Sequence, residues 1–314
     1  MKVLVTGAAG FIGLHLVERL ISDGYQVVAL DNLYSSDGKC LEQLVTRFPR
    51  QLQWIHGDIR DVECVSRAMA GCSVVFHLAA AGSVLESIEK VSVYHDINVT
   101  GMFNVLLAAK NAGVARFVLA SSASVYGDTS QGPNLESQDV RPMTPYAANK
   151  AIAEAYCMAF FKSYGMPTVI FRFFNVYGPR QNPRSSYAAA IPTFIKACQA
   201  NEWVTIFGDG EQTRDFVYVG DVVETLITGS RCDTSYLGIP INVASGQPVT
   251  INHVAQTIRQ VWNSSSRICH KPPRSGDIRD SSANVDRLRS MGVTQALTLR
   301  EGLAKIRSHT DRVL

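Results

Sequence analysis

The sequence lacks several features that would point to a membrane protein, a secreted protein or a nucleic-acid-binding protein. Charged residues make up 18% of its 314 residues, and the formal net charge is only +3. No apolar run approaches the roughly 20 residues that span a bilayer. A net charge this small does not favour binding to nucleic acid or to a membrane surface. The first residues pass directly into a strand-like pattern without a secretory signal, so we expect a cytoplasmic globular protein.

Cysteine and histidine are few, and neither is arranged as a set of metal ligands. The seven cysteines contain no Cys-x-x-Cys pair, and their number is odd. Such cysteines are typical of reduced, mostly buried thiols in a cytosolic protein. The seven histidines also lack the spacing of metal ligands, so no metal site is predicted.

The first half of the chain alternates short β-branched runs with helical patterns. Helical patterns cover 11–22, 62–70, 98–111 and 146–164, and strand patterns cover 2–6, 26–30, 53–56, 74–77, 117–121 and 168–172. This alternation predicts an α/β fold, namely a Rossmann-type, doubly wound parallel sheet with helices on both faces. After residue 174 glycine and proline, taken together, become slightly more frequent. We therefore predict a first domain over 1–174 and a smaller C-terminal α/β substrate-binding region over 175–314, from which strands could return to the main sheet.

A glycine-rich turn joins the first predicted strand to the first predicted helix. Gly7, Gly10 and Gly13 have the spacing of a tight turn that lets the backbone and a helix N-terminus approach a pyrophosphate. Asp31 ends the second strand, near the spacing of about 20 residues at which an acidic residue binds the adenosine ribose. Its carboxylate would repel a 2′-phosphate and no arginine follows it, so the pattern favours NAD over NADP. The alternative is an ordinary structural turn.

Tyr146 and Lys150 lie four residues apart in a predicted helix, shortly after a serine cluster at 121–124. At this spacing the two side chains share a helix face, about 5–6 Å apart at Cβ, so the ammonium favours a phenolate. Lowering the pKa of a phenol from about 10 to about 7 takes roughly 4 kcal/mol, more than one lysine is expected to supply without a second positive charge. Roughly 0.3 such pairs are expected by chance in this sequence, so the pair alone is a weak signal of function. It becomes significant only because the glycine turn and the serine cluster accompany it. The alternatives are an exposed helix and a plain serine turn.

Further segments occur in a recognisable order along almost the whole chain. They are Gly57-Asp58-Ile59-Arg60, His77-Leu78-Ala79-Ala80, Ser122-Ala123-Ser124-Val125-Tyr126-Gly127, the run 172–181, Gly208-Asp209-Gly210 with Arg214-Asp215, and Arg274-Ser275-Gly276-Asp277. Together with the glycine turn they resemble the extended short-chain dehydrogenase/reductase superfamily, and within it the nucleotide-sugar 4-epimerases. The chain is most similar to UDP-N-acetylglucosamine and UDP-glucose 4-epimerases.

The resemblance implies a site for tightly held NAD. Beyond the three glycines, the implied cofactor-binding positions are Phe11, Ile12, Asp31, Asn32, Asp58, Ile59, Leu78, Ala79, Ala80, Asn98, Tyr146, Lys150 and Phe174. Asp58 and Ile59 would flank the adenine, and Phe174 would lie near the nicotinamide. Asn98 could instead be a helix N-cap. His77 fits a packed core histidine better than a base.

The resemblance also implies a UDP-sugar substrate. Asn175, Arg214 and Arg274 would hold its diphosphate, because arginine supplies forked donors to phosphate. Charge alone would instead favour a solvated surface for the basic C-terminal cluster. The remaining implied substrate positions are Ser83, Ser122, Ser124 and Tyr146 for the sugar, Thr205 and Phe207 for the uracil, Asp277 for its ribose, and Ser281 for the sugar pocket wall.

The implied reaction is a redox-neutral inversion at C4 of the sugar. Tyr146 takes the C4 hydroxyl proton, directly or through Ser122, while a hydride passes to NAD⁺ and returns to the opposite face of a 4-keto sugar. Ala123 and Ser124 occupy the positions where related dehydratases carry an Asp-Glu pair, so elimination is disfavoured. A UDP-glucuronate 4-epimerase and a nucleotide-sugar dehydrogenase or reductase remain alternatives. A non-catalytic NAD-sensing module is the least favoured one.

A serine at 281 leaves room for a 2-acetamido group where related enzymes carry a bulky tyrosine. The resemblance therefore implies activity on UDP-GlcNAc and UDP-GalNAc, and also on UDP-Glc and UDP-Gal, unless Ser281 is only a small loop residue outside the pocket. The family analogy further implies a homodimer in which the helices at 98–111 and 146–164 form a four-helix bundle. No nucleic-acid or membrane partner is expected.

Overall fold

The computed structural model of the protein describes residues 1–128, 132–182, 189–273, 279–294 and 297–310. In chain order its strands are β1 (Lys2–Thr6), β2 (Gln26–Asp31), β3 (Leu52–His56), β4 (Val74–His77), β5 (Arg116–Ser122), β6 (Thr168–Phe173), β7 (Asn175–Tyr177), β8 (Val204–Phe207), β9 (Thr213–Arg214), β10 (Phe216–Tyr218), β11 (Pro240–Val243), β12 (Val249–Thr250), β13 (Ile268–Lys271) and β14 (Asp280–Ser281).

The α-helices are α1 (Phe11–Ser22), α2 (Lys39–Arg47), α3 (Val62–Met69), α4 (Val84–Glu89), α5 (Val91–His95), α6 (Met102–Ala112), α7 (Pro145–Tyr164), α8 (Ala190–Gln199), α9 (Val219–Ser230), α10 (Ile251–Trp262), α11 (Asp286–Ser290) and α12 (Leu299–Thr310). A π-helical segment covers Asp96–Gly101, and 3₁₀ turns cover Ala123–Tyr126 and Thr234–Tyr236. In the described part of the chain, every helix is too short or too polar to span a bilayer.

Seven strands form one parallel sheet in the order β11-β6-β5-β4-β1-β2-β3. The six predicted strands are all present, each within one residue of its predicted ends. β2 and β3 follow β1 on one side, and the chain then crosses to the other side of β1, where β4 pairs with it. Ligands of such sheets bind where the strand order reverses, beyond the carboxyl ends of the strands. The predicted α/β, doubly wound parallel fold is confirmed.

Two apolar cores lie on the two faces of this sheet. Alternate residues of a strand point to opposite faces, so Val3 and Val5 join the core under α1, α2 and α9, whereas Leu4 joins the core under α3, α6 and α7. All three side chains are fully buried. Burial on both faces explains why the strands read as nearly continuous apolar runs in the sequence.

The chain after residue 174 contributes to both parts of the molecule. β11 pairs with β6 at the edge of the main sheet, and α9 packs against α1. α11 packs on β11, and its Leu288 belongs to the first core. A smaller layer lies over the carboxyl edge, in which α8, α10 and α12 enclose a third apolar core with β8. β8 pairs with β13, and β9 pairs with β12 and β14.

The helix predicted at 98–111 begins earlier than expected. α5 starts at Val91 and continues through the π-helical segment into α6. The Asn98 side chain lies inside this helix, accepting from the Ala81 N–H at 2.8 Å and donating to the Ala81 carbonyl at 3.0 Å. The N-cap alternative for Asn98 is therefore wrong. The periodicity of a helix cannot predict a hydrogen bond to a residue 17 positions away. Single π-helical turns within α-helices are frequent at functional sites.

His77, at the end of β4, is a buried core residue, as the sequence indicated. Its Nδ1 lies 2.9 Å from Thr6 Oγ1, and its ring stacks on Phe117. Burial lowers the pKa of His77 to about 3, helped by the charge of Lys150. The imidazole is therefore neutral at neutral pH and lies out of reach of solvent.

The pKa of His77 in the folded protein lies below the ordinary value of 6.5. The unfolded chain therefore binds one proton more than the folded protein once the pH falls below 6.5. We expect this proton to reduce the free energy of unfolding by up to about 1.4 kcal/mol per pH unit below pH 6. Urea unfolding at pH 7, 6 and 5 should give a shallower pH dependence for His77→Asn than for the wild type. His253→Asn, at an exposed site, should keep the wild-type slope. Equal slopes for His77→Asn and the wild type would contradict a buried neutral His77.

Candidate active site

The glycine turn between β1 and α1 has the tight geometry that its spacing predicts. Gly7 has φ of +69°, and a Cβ on it would lie 2.7 Å from the Ala79 nitrogen, in the loop after β4. A Cβ on Gly13 would lie 2.1 Å from the Gly7 carbonyl oxygen. Gly13 thus lets the first turn of α1 pack on the glycine turn itself, rather than on the sheet. Gly10 is the N-cap of α1.

A cavity of about 370 Å³ opens over this turn. It brings together most of the predicted cofactor positions, and its lining comprises Gly7, Gly10, Phe11, Ile12, Gly13, Leu30, Asp31, Asn32, Tyr34, Ser35, Gly57, Ile59, Leu78, Ala79, Ala80, Gly82, Ile97 and Ala120. Side chains on these glycines would fill the space in front of the N-terminus of α1. The backbone N–H groups of the helix favour an anion in that space. These residues fit a dinucleotide.

The acidic residues beside this cavity are fixed by hydrogen bonds. Asp31 accepts from the Ala9 N–H at 2.9 Å and from the Leu33 N–H at 2.7 Å. Burial raises the pKa of the Asp31 carboxyl, and these two bonds oppose the rise. Asp58 instead accepts from Arg60 Nη2 at 2.7 Å and from Asn32 Nδ2 at 2.8 Å, and the bond from Arg60 lowers its pKa to about 2.

Some predicted cofactor positions do not line this cavity, among them Asp58, Asn98 and Phe174. The Asp58 carboxylate is occupied by Arg60 and Asn32, and Asn98 holds the loop that contains Ala81. Phe174 is buried beside the Tyr126 ring, with 6.3 Å between ring centroids. Of the lining residues missed by the sequence reasoning, Tyr34 and Ser35 were detectable, because they closely follow Asp31 and Asn32.

Ser122, Tyr146 and Lys150 meet where α7 packs on the end of β5. Thr144 caps α7 by accepting from the Ala147 N–H, and Pro145 starts its first turn, as is common for helices. The Tyr146 hydroxyl lies near enough to Ser122 for this serine to lower its pKa. Lys150 Nζ donates to the Ala120 carbonyl at 2.8 Å, and Ala120 lines the cavity. The three predicted catalytic side chains therefore lie together beside the first cavity.

Desolvation dominates the electrostatics of this group. Burial raises the pKa of Tyr146, and the interaction with Ser122 opposes this rise. The Lys150 Nζ lies 5.8 Å from the centroid of the Tyr146 ring. Burial also lowers the pKa of Lys150 to about 8. The protein alone therefore favours the neutral phenol, so a phenolate at Tyr146 needs a second positive charge besides Lys150.

Two predicted substrate serines are used locally in different ways. Ser83 is the N-cap of α4, where its hydroxyl accepts from the Glu86 N–H at 3.1 Å. The Ser124 N–H donates to Ser122 Oγ at 3.2 Å. The Ser124 hydroxyl is buried and has no hydrogen-bond partner among the described residues. A buried hydroxyl of this kind is available to a polar ligand.

A second cavity, of about 440 Å³, lies in the smaller layer. Four predicted substrate positions line it, namely Asn175, Thr205, Phe207 and Arg214. Arg214 Nη1 donates to the Thr213 carbonyl at 2.8 Å, and Asn175 Nδ2 donates to the Asp215 carbonyl at 3.3 Å. The rest of the wall comprises Val176, Tyr177, Gln181, Ala189, Ala190, Ile191, Thr193, Phe194, Ile206, Gln212, Phe216 and Ile251.

Ser281 is half-buried in β14, where it pairs with Arg214 of β9. Arg274 and Asp277 fall outside the described residues. Gln181 and Gln212 also line the second cavity and were missed by the sequence reasoning. Gln212 was within reach of that reasoning, since it lies two residues before Arg214 in an already recognised segment. Among the described residues no group of His, Cys, Asp and Glu side chains could hold a metal ion.

Known proteins are similar to this chain over almost its whole length. A UDP-glucose 4-epimerase from Mycolicibacterium smegmatis is 35% identical over 308 residues, which is 97% of each chain. The UDP-N-acetylglucosamine 4-epimerase from Methanobrevibacter ruminantium, solved with UDP-N-acetylmuramic acid, has a TM-score of 0.92 at 35% identity, covering 100% of this chain and 99% of its own. The UDP-glucuronic acid 4-epimerase from Bacillus cereus, solved with UDP-glucuronic acid and NAD, has a TM-score of 0.91 at 28% identity over 100% of both chains.

A family-level match covers most of the chain. Residues 3–236 match the family described as NAD dependent epimerase/dehydratase, and this span contains the glycine turn, the group at the end of β5 and most of the second cavity. The chain belongs to the NAD-dependent epimerase/dehydratase family.

Proposed function

We propose that the protein is an NAD-dependent 4-epimerase that inverts C4 of a UDP-hexose or a UDP-N-acetylhexosamine. The observation that carries this proposal is the position of Tyr146. Its hydroxyl interacts with Ser122 at the end of β5, and the neighbouring Lys150 donates to the carbonyl of Ala120, a residue of the first cavity wall. A tyrosine base beside a dinucleotide cavity suits the oxidation and re-reduction of an alcohol.

In this proposal the first cavity binds NAD. The glycine turn and the α1 N-terminus bind its pyrophosphate, and Asp31, already oriented by two backbone N–H groups, accepts from the adenosine ribose hydroxyls. Bound there, NAD⁺ would supply the hydride transfer from and back to C4 and a positive charge beside Tyr146. Asn98 acts indirectly, by fixing the loop that forms the cavity floor.

Tyr146 and Ser122 are proposed to accept and return the proton of the C4 hydroxyl. Tyr146 accepts the proton directly or through the Ser122 hydroxyl, and returns it after the hydride has come back. Since burial favours the neutral phenol, Tyr146 becomes a base only in a site with enough positive charge. Lys150 contributes its buried ammonium, which the Ala120 carbonyl orients.

The second cavity is proposed to bind the nucleotide. Arg214 and Asn175 line it beside Thr205 and Phe207, so it offers a guanidinium and an amide for a diphosphate together with an aromatic wall for a base. Arg274 and Asp277 remain predictions from the sequence. A firm hold on the diphosphate would leave the sugar free to turn its other face after oxidation, which inversion at C4 requires.

The 3₁₀ turn after Ser122 argues against elimination. Its residues are Ala123, Ser124, Val125 and Tyr126, so this turn offers no carboxylic acid beside the sugar site. Removal of water next to a 4-keto group needs such a proton donor. Epimerisation needs no proton donor beyond the shuttle proposed at Tyr146.

The direct test is to incubate the purified protein with UDP-GlcNAc, UDP-Glc and UDP-GlcA and to separate the products by chromatography. We expect interconversion of C4 epimers without net accumulation of reduced cofactor. Tyr146→Phe should lower turnover by about 10²–10⁴-fold, because it removes the proton acceptor, while bound NAD is retained. Tyr164→Phe, at an exposed position of the same helix, is the matched control and should keep full activity.

The outcomes of this assay separate the alternative functions. Stoichiometric accumulation of reduced cofactor would instead identify a dehydrogenase. Turnover of UDP-GlcA alone would identify a glucuronate 4-epimerase, an alternative supported by the similarity to the Bacillus cereus enzyme. Full activity in Tyr146→Phe would exclude Tyr146 as the base.

Ser281 is proposed to set the size of the accepted sugar. Its pairing with Arg214 places it in the strand next to a residue of the nucleotide cavity, and its small side chain leaves space. Ser281→Tyr should lower kcat/KM for UDP-GlcNAc by about ten- to a hundredfold and change kcat/KM for UDP-Glc little. Ser281→Ala, which keeps the space, should leave both values near those of the wild type. Equal losses for the two substrates in Ser281→Tyr would refute this role.

A homodimer is proposed through the outer faces of α6 and α7. Leu107, Ile152 and Tyr156 are 36%, 37% and 38% exposed, and the Tyr156 ring lies 5.1 Å from that of Phe103, so the four side chains form one apolar strip. A second copy would cover this strip and complete a four-helix bundle.

Ile152→Glu should therefore shift the protein from dimer to monomer at micromolar concentration, as measured by light scattering after gel filtration. Trp203→Glu changes a more exposed apolar residue in the smaller layer and should leave the dimer intact. A monomeric wild type would refute the dimer.

A further inference from the structure

Three residues of α7, each one turn after the last, bind the last three residues of β5. Tyr146 interacts with Ser122, and Lys150 donates to the Ala120 carbonyl. Glu154 accepts from the hydroxyl of Ser121, the residue between those two. On a helix, residues four apart share a face, so these three side chains form one row against the strand. The row continues the proposed catalytic group by one residue.

We propose that Glu154, held by Arg172, is a positioning residue for Ser122, Tyr146 and Lys150, which fixes α7 against β5 and sustains the positive charge of Lys150; this inference rests on the proposed function. Glu154 and Arg172 are only 1% and 3% exposed. Arg172 Nη2 donates to Glu154 Oε2 at 2.7 Å, and Arg172 Nε donates to Glu154 Oε1 at 2.9 Å. Such a forked, buried pair has one geometry, so it locks the carboxylate towards Ser121.

The Tyr126 ring and, through it, Asn242 hold Arg172 in place. Its guanidinium carbon lies 4.7 Å from the centroid of the Tyr126 ring, and the Tyr126 hydroxyl donates to Asn242 Oδ1 at 2.6 Å. Asn242 belongs to β11, the next strand of the sheet. The position of Glu154 is therefore set by β6, by β11 and by the turn that follows Ser122.

Stability alone gives little reason to retain this pair. Desolvating two charges costs several kcal/mol, and well-packed apolar residues of similar volume often stabilise a protein equally or better. The pair lies next to the candidate catalytic residues, which gives a reason for it other than stability. Its negative charge also lies one helical turn from the buried Lys150.

Lys150 experiences two opposing effects. Burial lowers its pKa to about 8, and the Glu154 carboxylate raises it. Among the described residues, the other ionisable side chains on α7 and on the elements around it are Glu86, Glu89, Tyr94, His95, Asp96, Lys110, Arg116, Tyr126, Tyr146, Tyr156, Cys157, Lys162, Tyr164 and Arg172, with His77 on β4. The carboxylate that acts on Lys150 is that of Glu154.

The test is Glu154→Gln, which keeps the shape and removes the charge. Without the carboxylate, Lys150 should lose its proton about one pH unit lower, since a nearby opposite charge shifts a pKa by about 1–3 units and Arg172 offsets part of it. The alkaline limb of kcat should move to lower pH by the same amount. We expect kcat at neutral pH to fall about tenfold and KM for the UDP-sugar to change little. The Lys150 titration is read directly by NMR of ¹³C-labelled lysine, assigned with Lys150→Met.

Two further variants separate positioning from stability. Glu154→Met with Arg172→Met removes both charges and leaves no buried ion unpaired, so it stays testable even if Glu154→Gln does not fold. It should still move the Lys150 titration to lower pH. Val169→Ala, in the opposite core, should lose stability without moving it.

An unchanged Lys150 titration and alkaline limb in both charge-removing variants would overturn the positioning role and leave Glu154 a structural residue. Absence of epimerase turnover in the wild type would refute the proposed function instead. In that case the NMR titration would still decide whether Glu154 sustains the charge of Lys150.

Discussion

The arrangement of the active site depends on how two buried charges of α7 are satisfied. Lys150 and Glu154 lie one turn apart on the face of α7 that packs on the sheet, where an unpaired charge would be strongly destabilising. The Ala120 carbonyl satisfies the ammonium, and Ser121 and Arg172 satisfy the carboxylate. Because these partners belong to β5 and β6, satisfying the charges also fixes the distance and register between helix and sheet. The position of Tyr146 follows from that register.

The loop on the other side of the cofactor cavity is fixed in a comparable way. The amide of Asn98 binds both polar groups of Ala81, and the helix that carries Asn98 adopts a π-helical turn at this point. The loop runs from β4 past Ala79, which lies too close to Gly7 for any Cβ. The glycine turn, this loop and the end of β5 thus have their positions set by polar contacts between elements distant in sequence. We infer that changes at Asn98 would act on the cofactor through the loop.

The sequence alone predicts the main sheet well, because strands buried on both faces carry continuous apolar runs that end at glycine and polar residues. It also predicts the spacing of Tyr146 and Lys150, which is a property of any helix. It did not predict the π-helical turn, since the bond from Asn98 to Ala81 is tertiary. The opposing effect of burial on Tyr146 was likewise out of reach, because burial follows from packing. Glu154 lies one turn after Lys150 in the sequence, but its partner Arg172 becomes evident only when β6 lies beside β5.

The two cavities are built by different parts of the chain. The proposed catalytic residues belong to β5 of the main sheet and to α7, which packs on it, and their geometry follows from strand pairing and two large cores. The second cavity is formed largely by short strands and α8, and Ser281 stands in a strand of two residues. Similar structures in complex with UDP-N-acetylmuramic acid and with UDP-glucuronic acid match this chain over 99% and 100% of their own length. Under the proposed function, a common reaction site with a variable sugar pocket is the simplest physical account of that likeness. We therefore propose that the smaller layer determines which UDP-sugar this protein accepts.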